Sequence, residues 1–128
     1  MSYAYDPELV PMLELLPDAN LDISDPVASR TEFSGMIEAL NADLDQSGVI
    51  TEDRQIPGPE GAPQVLLRTY TPEGLDQAVP GLLHIHGGGF VIGNLDSEFG
   101  SCLALCRNLG IVVVSVDYRL APETPYPG

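Results

Sequence analysis

Leu82-Leu83-His84-Ile85-His86-Gly87-Gly88-Gly89-Phe90 is the stretch on which the reading of this chain turns. Four residues with the pattern of a buried strand run straight into three successive glycines. Glycine reaches backbone angles closed to other residues and lets a ligand come close to the main chain. A glycine loop at a strand end can point bare N–H groups at a developing negative charge, which is how an oxyanion hole is built. The plain alternative is a tight turn that happens to be rich in glycine. A phosphate loop is excluded, because neither Gly-Lys-Ser/Thr nor Gly-x-Gly-x-x-Gly follows.

Downstream, Asp96 is placed to cap a helix running to about Leu109, with Gly110 as its terminator. Ile111 to Val116 is the strongest strand pattern in the chain. Strand, helix and strand in that order make a βαβ unit, so the class is α/β with a parallel pairing. Asp117-Tyr118-Arg119-Leu120-Ala121-Pro122-Glu123 follows the last strand. Three prolines between 122 and 127, with Asp, Arg and Glu together, suggest a rigid, ion-paired loop at the sheet's carboxyl edge, where α/β folds place their sites.

Upstream, the period is helical. Asp6 and Pro7 open a helix over 6–17, with Leu9, Met12, Leu13 and Leu16 on one face. Asp25-Pro26 opens a second over about 26–45, with a stripe of Phe33, Met36, Ile37, Leu40 and Leu44, and Gly48 past its end. A short strand is expected at 52–57, a turn at 58–61, a strand at 64–70 and a polar loop over 71–79.

The 128 residues suit one domain or a piece of one. Net charge is −14, from 19 acidic residues against five arginines and no lysine. That balance disfavours nucleic acid and anionic membrane surfaces, which attract cations. Thirteen of the carboxylates lie in residues 1–60, either as a solvated acidic face or as an adaptation to high salt. Cys102 and Cys106 share one helical face with no further ligand nearby. They read as small buried hydrophobes in a reduced compartment, ahead of a zinc or redox role. No metal and no cofactor is expected. The first residues lack a signal-peptide pattern and no apolar run could span a membrane, so a cytoplasmic protein is expected.

His84 and His86 are candidate bases with no nucleophile to serve. His84 reads as a packing residue within the strand. His86 reads as a side chain that ties the glycine loop down by hydrogen bonding.

The pair of motifs, His86–Phe90 and then Val-Val-Val-Ser-Val-Asp-Tyr-Arg-Leu-Ala-Pro-Glu-Thr-Pro-Tyr-Pro over 112–127, resembles the hormone-sensitive-lipase family of α/β-hydrolases in its bacterial carboxylesterase branch. An HGGG-type motif is the usual oxyanion-hole element of lipases and esterases. The resemblance implies the N-terminal part of an α/β-hydrolase sheet, with four strands in the order 1-2-4-3 and one crossover helix, preceded by cap helices. Residues 1–48 would be the helical cap segment, and 49–128 the N-terminal half of an incomplete core. Gly88 and Gly89 match the oxyanion-hole glycines. His86, Gly87 and Phe90 match supporting positions, and Glu123 matches a glutamate near the nucleophile loop.

The implied reaction is hydrolysis of small acyl esters through a serine acyl-enzyme. No Gly-x-Ser-x-Gly occurs in the 128 residues, and the family's Ser, Asp and His normally follow the loop that ends this sequence. The chain alone is therefore expected to be inactive. Its expected partners are an ester substrate and the C-terminal remainder of the hydrolase, as a second chain or within an oligomer. A small-molecule receptor of the hydrolase fold, binding without catalysis, and an inactive truncated fragment are the alternatives.

Overall fold

A computed structural model describes residues 5–11 and 24–127. Of the expected helix over 6–17, residues 6–11 lie among them, a turn over 7–9 leading into helix at Val10 and Pro11, and the rest of that expectation falls outside the described residues. The elements described run α1 (Pro26–Asn41), β1 (Val49–Ile56), β2 (Val65–Pro72), β3 (Gly81–Ile85), a 3-10 turn (Asp96–Glu98), α2 (Phe99–Leu109) and β4 (Val112–Asp117).

Helix α1 starts where the sequence places it. Asp25 accepts a hydrogen bond from the Ala28 N–H, and Pro26 occupies the first turn, where its missing N–H is no loss. It ends at Asn41, earlier than the expected 45. The Asp45 carboxylate accepts from both the N–H and the hydroxyl of Ser47, and such local turns compete with helix. Gly48, with φ of 76°, belongs to the approach to β1 rather than to the helix end.

The sheet has the order β1-β2-β4-β3. β1 pairs antiparallel with β2 from Val49↔Pro72 to Ile56↔Val65. β2 pairs antiparallel with β4, and β3 pairs parallel with β4 from Gly81↔Val112 to Ile85↔Val116. The order agrees with the expectation, and so does the βαβ unit of β3, α2 and β4. β1 begins at Val49, earlier than the expected 52. Its charged centre, Glu52-Asp53-Arg54, lies within the expected strand, and an edge strand carries such charges to deter further pairing.

Helix α2 is entered differently from the expectation. Asp96 is not the cap. Asn94 caps instead, its side-chain oxygen accepting from the N–H groups of Asp96 and Ser97. The 3-10 turn moves the start of the helix on to Phe99. Gly110 closes it in the left-handed conformation, φ 63°, with its N–H on the Cys106 carbonyl, as a glycine terminator should.

One face of α2 seals the core. Val49, Tyr70, Cys102, Leu103, Cys106 and Val113 are buried together, with Leu82, Phe99, Leu105 and Ile111 packed against them. Both thiols are free and are pushed up by burial. Arg68, on β2, is held between Asp53 of β1 and Asp96 of the 3-10 turn, at 2.7 and 2.6 Å, and lies over the Phe99 ring. Among the described residues no helix is long and apolar enough to cross a membrane.

Candidate active site

The glycine loop leaves the C-terminal end of β3 and is tied down at both of its ends. At the near end, His86 is buried, and its ring stacks on Tyr118 with centroids 4.1 Å apart. Its Nδ1 lies 2.8 Å from the Gly87 carbonyl oxygen. A carbonyl only accepts, so Nδ1 carries the proton there. The Tyr118 hydroxyl donates to the His86 carbonyl at 2.9 Å. His86 thus bonds within the loop through its ring and is stacked on the loop that follows β4. His86 Nε2 is buried with no hydrogen-bond partner among the described residues.

At the far end, the Val91 and Ile92 N–H groups both donate to the Gly88 carbonyl at 3.1 Å. The Ala121 N–H donates to the Phe90 carbonyl at 2.9 Å. Arg30 of α1 donates through Nε to the Val91 carbonyl at 2.7 Å, and its other nitrogens reach the Ala121 carbonyl and both oxygens of Glu123. Between these fastenings, no described residue accepts a hydrogen bond from the N–H of Gly87, Gly88 or Gly89.

The backbone here is one that side chains resist. Gly88 has φ of 119°, and a Cβ on it would sit 2.0 Å from the Ile92 carbonyl oxygen. Gly93 has φ of 101°, and a Cβ there would meet His86 Nδ1 at 2.4 Å. Phe90 stands at φ 65° with a full aromatic side chain, and it is 72% exposed. A bulky residue in that region is an outlier, and such outliers gather at functional sites.

Phe90 also lines a concavity of about 640 Å³ with Ile85, Val116, Tyr118, Ala121 and Tyr126. Gly88 and Gly89 are not on its walls. A smaller one, about 360 Å³, lies between Arg30 and Phe33 of α1 and the Asp117–Thr124 loop. Burial pushes the Asp117 carboxyl up, with His86 opposing. Burial also raises the Tyr118 phenol.

Glu123 is brought to Arg30, whose hydrogen bonds hold its carboxyl below the usual range. The ion pair expected of this loop thus forms with the N-terminal helix and not with Arg119. His84 sits within β3 and faces Glu98 at 3.2 Å, away from the glycines. Arg30 is the residue that sequence reasoning missed. Its partners lie 61 to 93 positions away, so no local pattern marks it. The one available signal is scarcity, since five arginines serve 19 carboxylates. Among the described residues no cluster of His, Cys, Asp or Glu could hold a metal ion.

Comparison with known proteins finds relatives among hydrolases. A family model described as the alpha/beta hydrolase fold matches residues 82–128. The chain is 43% identical over 103 residues to the carboxylic ester hydrolase LipN of Mycobacterium tuberculosis, covering 80% of this chain and 26% of that protein. It is 42% identical over 116 residues to esterase LipI of the same organism, covering 84% and 36%. A solved structure, the bacterial heroin esterase, superposes with a TM-score of 0.86 at 43% identity, covering 96% of this chain and 38% of that one. The chain thus spans between 26% and 38% of the length of these relatives.

Proposed function

We infer the function of this chain from its family: it belongs to the hormone-sensitive-lipase family of α/β-hydrolases, and corresponds to the N-terminal part of that fold. Its relatives are carboxylesterases. On that basis the chain supplies the oxyanion hole and part of the cap to a hydrolase of small acyl esters. The observation that carries the proposal is the pair of N–H groups at Gly88 and Gly89 that no described residue engages, on a loop fastened on both sides of them.

In this reading the ester carbonyl lies against the two glycines. A serine from the remainder of the hydrolase, within the same polypeptide or in a second chain, attacks it. Charge grows on the carbonyl oxygen as the tetrahedral intermediate forms, and the two N–H groups meet it without reorganising. His86, Gly87 and Phe90 keep the loop in place, and Glu123 acts through Arg30. The carboxyl edge of the sheet and the concavity beside Phe90 receive the remainder and the substrate. Helix α1 belongs to the cap segment. No metal or cofactor takes part. The buried free thiols Cys102 and Cys106 favour a cytoplasmic setting.

The test compares short-chain p-nitrophenyl ester hydrolysis by residues 1–128 with that by the complete hydrolase. The chain alone should show no turnover above background. In the complete enzyme, Gly88→Ala must displace the Ile92 carbonyl and should lower kcat by about 10²-fold or more. An unchanged rate in a folded variant sinks the oxyanion reading. Saturable binding of an ester without turnover would instead make the protein a receptor.

A further inference from the structure

We propose that Arg30 is a positioning residue for the oxyanion hole, so that the N-terminal helix sets the geometry of the glycine loop. The proposal rests on the oxyanion reading above. Arg30 bonds both the glycine loop, at the Val91 carbonyl, and the loop after β4, at the Ala121 carbonyl and Glu123. Ala121 is in turn bonded to Phe90. The guanidinium thus closes a ring through Val91, Phe90, Ala121 and back to itself. The side chain is 25% exposed, so most of its fork is committed.

The residue type matters. A guanidinium offers donors in a rigid plane and can meet acceptors lying in different directions at once, whereas an ammonium is a point charge on a flexible stem. Glu123 takes two of the nitrogens and balances the charge. It thereby orients the plane so that Nε remains for Val91. Val91 is only two residues from Gly89, and its own N–H is bonded to the Gly88 carbonyl. A shift of the Val91 carbonyl therefore reaches the peptide units whose N–H groups are left free. Helix α1 is tied a second time near its other end, where the Asn41 side chain donates to the Asp96 carbonyl at 2.8 Å. The helix is fixed at both ends, and the loop is fixed to the helix.

The experiment uses the hydrolase in whatever assembly it is isolated, with Arg30→Gln, Arg30→Lys and, as a control on the same helix, Thr31→Ala. Amide hydrogen exchange and steady-state ester kinetics are read together. Both Arg30 variants should speed exchange at Val91, Ile92 and Ala121 at least tenfold, and leave the amides of β2 and β4 within twofold. They should lower kcat at least tenfold with KM within threefold. Thr31→Ala should change neither. The proposal is overturned by unchanged exchange at the three amides, by a rise shared equally with β2 and β4, by a higher KM at constant kcat, or by full rescue in Arg30→Lys. If the unaltered protein turns over no ester, the hydrolase function fails, and the exchange pattern alone decides whether Arg30 holds the loop.

Discussion

Under helix α2 the sheet is dry, with Tyr70, Val113 and Ser115 at 0% exposure, whereas on the opposite face Leu83 and Ile85 stand 64% and 63% exposed. Composition does not separate the two faces. β4 has valine at 112, 113, 114 and 116, so both of its faces are apolar. Parallel strands read this way when both faces are to be covered. β1 is the contrast, with Glu52, Asp53 and Arg54 marking an edge meant to stay an edge. β3 carries no such charge. The difference teaches that the face of Leu83 and Ile85 has the chemistry of an interior and the exposure of a surface.

The comparison can be broken most directly by truncation. Leu103→Ala, beneath α2, should cost about 2–5 kcal/mol of stability. Leu83→Ala should cost under about 0.5 kcal/mol in protein diluted until it is monomeric. Urea unfolding of both variants gives the answer, and equal losses would mean that the exposed face is covered in solution. A second test adds charge. The isolated chain should self-associate through β3, and Leu83→Lys with Ile85→Lys should weaken that association at least about tenfold. Ile50→Lys on β1, where the side chain is 50% exposed, should change nothing in sedimentation. A compact monomer before any substitution would contradict the expectation outright.

The smallest effect sharpens the covered face. Arg68 holds the Asp53 carboxyl below its usual range. A depressed carboxyl stabilises the fold above its unfolded value, about pH 4, and that contribution fades as pH falls through the folded value. The Asp53 side chain is 46% exposed, so water screens the pair. Asp53→Asn should therefore cost about 0.5–1 kcal/mol near neutrality. The stability curves of variant and parent should converge in acid. Parallel curves down to the lowest pH would remove the Arg68 pairing from the account.

Much of the fold was legible because its signals are local. The βαβ unit shows in Leu82–Ile85, Gly110 and the valine run, and the helix start shows in Asp25-Pro26. The misses have physical causes. The first residues of β1, Val49 to Thr51, follow directly on Gly48, and only their pairing with Tyr70 to Pro72 marks them as strand. Asn94 was passed over because Asp96 looked sufficient, and only the intervening 3-10 turn shows which side chain meets the free N–H groups. At the candidate site, the glycines announce themselves through backbone freedom. The positive φ of Phe90 does not, since nothing in an aromatic residue signals it. Arg30 was illegible because its acceptors are mostly backbone carbonyls on loops far along the chain.

The two thiols of α2 turn the covered face into a clock. Cys102 and Cys106 have 0% exposure, and burial suppresses their thiolates, so an alkylating reagent finds nothing to attack until the helix leaves the sheet. Their positions, one turn apart, separate two kinds of opening. Labelling of Cys106 ahead of Cys102 would time the fraying of the helix from its Gly110 end. Labelling of both at one rate would time the lifting of the whole helix, and with it the opening of the core. No introduced probe is needed, because the chain holds no other cysteine to confuse the count.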